Sequence, residues 1–162
     1  MAELTNIESK LGEVLGLAQA AKGNVKKLAK LVEDEQLRSD LVQMAEEAAV
    51  TEERVTAVAG SFEGKKTAIL DKARETKQEA TEMMNTYISE DSDELDAFEF
   101  LTMAEAGELG HWAIVRTMNQ RLGNPEIQRL VDFALPIEEK HFQMVREGSL
   151  KLAAEEDPLA ES

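Results

Sequence analysis

Glu105, Glu108, Glu138 and His141 are the residues of this chain whose types and spacing can do chemistry. Residues three apart on a helix share a face, so Glu105 pairs with Glu108 and Glu138 pairs with His141. Both pairs fall on positions that neighbouring turns fill with Leu, Val, Ile and Trp. Three carboxyls and an imidazole in a helical core are unstable unless a cation or shared protons compensate them. Three oxygen donors with one imidazole suit iron(II), manganese or zinc better than calcium, which prefers all-oxygen shells. A divalent ion there lowers the carboxyl pKa values and relieves their mutual repulsion.

Helices must position these residues, since strand signals are nearly absent and apolar residues recur every three to four positions. Leu4, Ile7, Leu11, Val14, Ala18, Ala21, Val25, Leu28 and Val32 form one seam, implying a first helix of about eight turns. The acidic run at 33–35 reads as a turn. A second seam follows through Leu37, Leu41, Met44, Ala48, Thr51, Val55 and Val58, and Gly60 and Gly64 bracket the next break. Ile69, Ala73, Ala80, Met83 and Tyr87 predict a third helix. The polar run 89–93 ends it and offers Asp91 or Ser92 as the next N-cap. The fourth seam is Phe98, Leu101, Glu105, Glu108, Trp112, Val115 and Leu122. Gly123-Asn124-Pro125 then supplies a C-terminal glycine, an N-cap and a proline at the first helical position. The fifth seam is Ile127, Val131, Ala134, Glu138, His141, Val145 and Leu152. Residues 1–155 read as a single helical domain, and 156–162 as a polar tail.

The fourth and fifth helices should run antiparallel across their short loop. Glu108 and Glu138 lie at similar heights from it, so the two pairs can converge. Shifting the chain by 90 residues lays Leu37 on Ile127, Leu41 on Val131 and Val55 on Val145. The same shift sets Leu15, Ala18, Ala48 and Thr51 against Glu105, Glu108, Glu138 and His141. This is a weak internal repeat in which only the second copy carries the polar cluster.

Glu-x-x-Glu on one helix followed by Glu-x-x-His on the next resembles the ferritin-like superfamily of carboxylate-bridged metal proteins, rubrerythrins especially. The resemblance implies an all-α, ferritin-like four-helix bundle of two helical hairpins with an additional crossover helix. It also implies a core site for one or two iron or manganese ions at Glu105, Glu108, Glu138 and His141. Any enzymatic activity would be that of a non-haem iron oxidoreductase of ferroxidase or peroxidase type, in iron handling or oxidative-stress protection. The family supplies further ligands from its first two bundle helices, whereas this chain has Ala18, Ala48 and Thr51 there. Glu13, Glu46 and Glu47 lie nearby, but Glu13 is off the seam and Ala49 replaces the needed histidine. Half a site can hold one metal, or a homodimer can pair two half-sites across a twofold axis.

Other features narrow the field. The formal charge of −15 disfavours nucleic acid and anionic membranes as partners. The absence of cysteine excludes disulfides and thiolate metal sites, and fits a cytoplasmic protein. The acidic, polar start is no signal peptide, and no apolar run approaches the ~18 residues of a membrane span. Neither a Gly-rich phosphate loop nor a Ser-His-Asp arrangement is present. His111 makes a second Glu-x-x-His with Glu108 but sits off the seam, in a flanking position. Pro136 should kink the fifth helix, aiming Glu138 or opening the site, or simply be tolerated as a bend. The competing reading is a metal-free structural or stress-related bundle that shares protons in its core and acts through a protein partner.

Overall fold

A computed structural model describes residues 2–161, and five α-helices account for most of them: α1 (Asn6–Leu28), α2 (Glu35–Ala59), α3 (Lys66–Tyr87), α4 (Glu94–Leu122) and α5 (Pro125–Glu155). No strand occurs among the described residues, so the fold is all-α. Local chemistry sets the helix ends. Thr5 and Glu8 make a capping box at the start of α1, and a single 3₁₀ turn, Ala29–Leu31, closes it. Asp34 caps α2 by accepting from the Leu37 N–H. Gly123 takes the left-handed conformation (φ 72°), and Asn124 accepts from the amides of Glu126 and Ile127 with Pro125 at the first position of α5. The cap of α4 is Asp93 rather than Asp91 or Ser92: it accepts from the Asp96 amide while Asp96 reaches back to it. The Ser92 hydroxyl instead accepts from the Ser89 amide.

α1 packs along α2, α3 and α4; α4 packs along α5, and α2 along α5. Contacts therefore run in a ring through α1, α2, α5 and α4, with α3 outside it against α1. Nearly every seam residue of α2 and α5 is buried. At three outer positions the seam fails. Met83, Tyr87 and Leu122 are exposed, while Met84 and Asn119 turn inward. Asn119 is buried because its side chain clasps the α4–α5 turn, accepting from the Asn124 amide and donating to the Asn124 carbonyl. Pro136 does not break α5. It lies on the exposed face of the helix. No helix among the described residues is long and apolar enough to cross a membrane.

The α1–α3 contact rests on glycine. A Cβ at Gly16 would lie 2.7 Å from the Thr76 Cβ and closer still to the Ala73 carbonyl oxygen, and one at Gly12 would lie 2.7 Å from the Lys72 Cβ. Backbone cannot retract as a flexible side chain does, so Gly16→Ala must push the helices apart. We expect it to cost about 1–3 kcal/mol, despite a helix-propensity gain of up to about 1 kcal/mol. Gly110→Ala, where a Cβ meets open space, should keep that gain. Urea unfolding of the two variants checks the contrast.

Candidate metal centre

Two apolar clusters fill the interior. One gathers Val25, Leu41, Phe98, Leu101 and Val145; the other gathers Leu11, Val55, Trp112, Val115 and Val131. Between them along the chain lies a polar layer made by Glu105 and Glu108 of α4 and Glu138 and His141 of α5, each 2–4% exposed. Leu15, Ala18, Ala48 and Thr51, one repeat earlier, are equally buried. Their small or apolar side chains leave the four polar groups no first-half counterpart. Thr51 satisfies its own hydroxyl by donating to the Glu47 carbonyl.

The structure brings three of the four residues together. One ligand atom each from Glu105, Glu138 and His141 lies within 4.8 Å of the others. His141 Nδ1 is 3.9 Å from Oε2 of Glu105 and 3.9 Å from Oε2 of Glu138. Both of those oxygens are buried and have no hydrogen-bond partner among the described residues. A cation about 2.1 Å from each donor separates its ligand atoms by roughly 3–4 Å. The residues thus fit a single ion, and the two orphaned oxygens are the atoms it would satisfy. Glu108 stands apart from the trio. It is one turn further along α4, buried, and makes no side-chain hydrogen bond among the described residues.

Burial controls the charges. It pushes the carboxyls of Glu105, Glu108 and Glu138 well above the ordinary glutamate range, and repulsion adds to it: Glu108 on Glu105, Glu138 on Glu108, Glu105 on Glu138. Burial lowers the His141 pKa and keeps the ring neutral, as a ligand must be, against the pull of Glu47.

Glu47, on α2, is the site residue that seam reasoning passes over. Its Oε2 lies 3.3 Å from His141 Nε2, and its Oε1 accepts from Lys140 at 2.7 Å and from Gln43 at 2.8 Å. Burial raises its pKa, but Lys140, His141 and Gln43 outweigh burial and hold the carboxyl ionised. With an ionised acceptor at Nε2, the neutral ring carries its proton there and turns the Nδ1 lone pair toward Glu105 and Glu138. The signal in the sequence was its position one residue before Ala48, with Lys140 beside His141 to recruit it.

The remaining candidates lie elsewhere. Glu13 pairs with Lys10 at 2.7 Å, away from the trio. His111 Nδ1 meets the Gly107 carbonyl at 2.8 Å, and its Nε2 lies 3.5 Å from Glu13, so both nitrogens already face partners on the flank. Trp112 is fully buried in the second cluster with its indole N–H unpartnered.

Fold and site together define an all-α protein with a buried Glu-Glu-His group. Comparison with protein-family models, with curated proteins and with solved structures gives no match.

Proposed function

We propose that this chain is a ferritin-like metal-binding protein that holds one transition-metal ion between Glu105, Glu138 and His141, iron or manganese ahead of zinc. The observation that carries the reading is the pair of orphaned carboxylate oxygens facing the Nδ1 of a histidine that Glu47 orients. The ring of α1, α2, α5 and α4, with α3 outside it, supports the ferritin-like reading of the bundle. In this reading Glu105 and Glu138 balance the ion's charge and His141 supplies a neutral nitrogen. Glu47 fixes the imidazole tautomer, and the apolar clusters on either side exclude water. A bound ion supplies Lewis acidity and, if it is iron or manganese, redox chemistry suited to iron handling or oxidative-stress protection.

Elemental analysis of untagged protein, unaltered and as Glu138→Ala, tests the reading. One ion per chain, lost in the variant, is the expected result; a chain that takes up neither iron, manganese nor zinc overturns it. Sedimentation of metal-loaded protein distinguishes one ion in one chain from two half-sites joined in a dimer. The burial that keeps Glu105 and Glu138 protonated favours a second reading, a metal-free helical bundle whose carboxyls share protons. That reading expects no metal and no stability lost in Glu138→Ala.

A further inference from the structure

α3 leans on α1 and leaves a cavity of about 400 Å³ against α4. Leu17, Ala21, Met83, Phe100 and Leu101 give it apolar walls. From Leu17 to Asn24 on α1, and from Thr76 to Met83 on α3, each wall runs about 10 Å at a rise of ~1.5 Å per residue. The mouth opens between α3 and α4, where Met83 and Met103 are exposed. The polar lining is one-sided: Glu79, Glu105, Glu108 and His111, with Asn24 and Thr76, and no Lys or Arg. Glu108 is the outstanding group. It is 4% exposed, lines the cavity and has no hydrogen-bond partner among the described residues. Asn24, 7% exposed, also lines the cavity.

We propose that this cavity binds a primary alkylammonium ion of medium chain length, with its chain along the apolar walls and its head on Glu108. The wall length matches an extended chain of about eight carbons, and the volume lies within the range of small-molecule sites. An anionic amphiphile such as a fatty acid finds no cation in the lining and meets acidic groups at the mouth and on the floor. An ammonium head favours the ionised form of Glu108 against the burial and the Glu138 charge that oppose it, and gives that carboxylate the charge-assisted hydrogen bond it lacks; the Asn24 amide oxygen can accept a second. The inference goes beyond the metal reading, because it turns on the carboxyl that the Glu105–Glu138–His141 trio leaves out.

Isothermal titration calorimetry of the full chain with octylammonium chloride, sodium octanoate and 1-octanol tests it. Saturable binding of one octylammonium per chain is expected. Octanoate and octanol should bind at least about tenfold more weakly, as loss of one charge-assisted bond requires. Glu108→Gln should weaken octylammonium by a similar factor, and Ala80→Phe, which fills the cavity from α3, should abolish binding. No saturable octylammonium binding, or octanol binding as tightly as octylammonium, overturns the proposal; so does unchanged binding in either folded variant. If Glu108→Gln does not fold, the ligand comparison on the unaltered chain decides. Ala80→Phe leaves the metal ligands untouched, so its metal content separates failure here from failure of the metal reading.

Discussion

The double variant Glu105→Leu/Glu138→Leu should be more stable than the unaltered protein when both are metal-free, by about 1–4 kcal/mol. Leucine occupies nearly the volume of glutamate, and the flanking clusters already present Leu101, Trp112, Ala134 and Val145 on the same faces. Two buried carboxyls with orphaned oxygens cost desolvation energy that no partner returns. Their removal ends that cost and joins the two apolar clusters into one. Metal reverses the order. Unaltered protein should gain stability as ion concentration rises above the dissociation constant, by about 2.7 kcal/mol at a hundredfold excess over it, and the double variant should gain none. Urea unfolding followed by circular dichroism, with chelator and then with manganese(II), measures both halves. A double variant less stable than its metal-free parent would show that the carboxyls satisfy each other in the folded state.

Metal-free protein should also lose stability as pH rises, opposite to the usual behaviour of carboxylate-bearing proteins. Glu105, Glu108 and Glu138 have folded-state pKa values well above 4.5 because burial and mutual repulsion disfavour their ionised forms. Above pH 4.5 the unfolded chain has released protons that the folded chain still holds. Each such proton lowers the unfolding free energy by about 1.4 kcal/mol per pH unit, until the folded group itself ionises. His141 opposes this, since its folded pKa lies below 6.5 and the unfolded chain takes up a proton that the folded one refuses. One imidazole is outnumbered by three carboxyls below pH 6.5 and contributes nothing to the slope above it. Stability in chelator should therefore fall as pH rises above 4.5, until the folded carboxyls themselves ionise. A metal ion should invert the trend, because its ligands must shed their protons to bind. The chain's −15 charge adds general repulsion at high pH. A flatter profile in Glu105→Leu/Glu138→Leu assigns the slope to the cluster, whereas the same slope in both proteins assigns it to the surface.

The fold was legible wherever one residue type has one dominant use. Gly123-Asn124-Pro125 places the α4–α5 turn because glycine, asparagine and proline each meet a distinct backbone requirement there. The apolar seams locate all five helices, and the break in those seams locates Glu105, Glu138 and His141 in the core. Seam reasoning treats each helix as having one inward face, and this is where it falls short. α1 has two: Leu11, Val14 and Leu15 line a core cluster, and Gly12 and Gly16 admit α3 on another side. Small residues give no hydrophobic signal, so that second face is silent in the pattern. Glu47 is hidden for a related reason. It approaches His141 from the edge of α2, a half-buried position between exposed Glu46 and buried Ala48, where a long side chain reaches a buried partner. The separation of Glu108 from the metal trio needs side-chain positions, because Glu105 and Glu108 are equivalent by spacing alone.

α3 is fastened chiefly to α1, through the glycine seat at Gly12 and Gly16, while each helix of the ring holds at least two ring neighbours. The helix with fewest attachments opens at the lowest free energy. Backbone amides of α3 therefore exchange with solvent ahead of those in α4 and α5. Each such opening removes one wall of the cavity that α3 closes, so breathing of this helix sets both how fast a guest molecule enters and how long it stays. The same opening bares Glu105 and Glu108, which line that cavity, whereas Glu138 and His141 on α5 lie outside its lining.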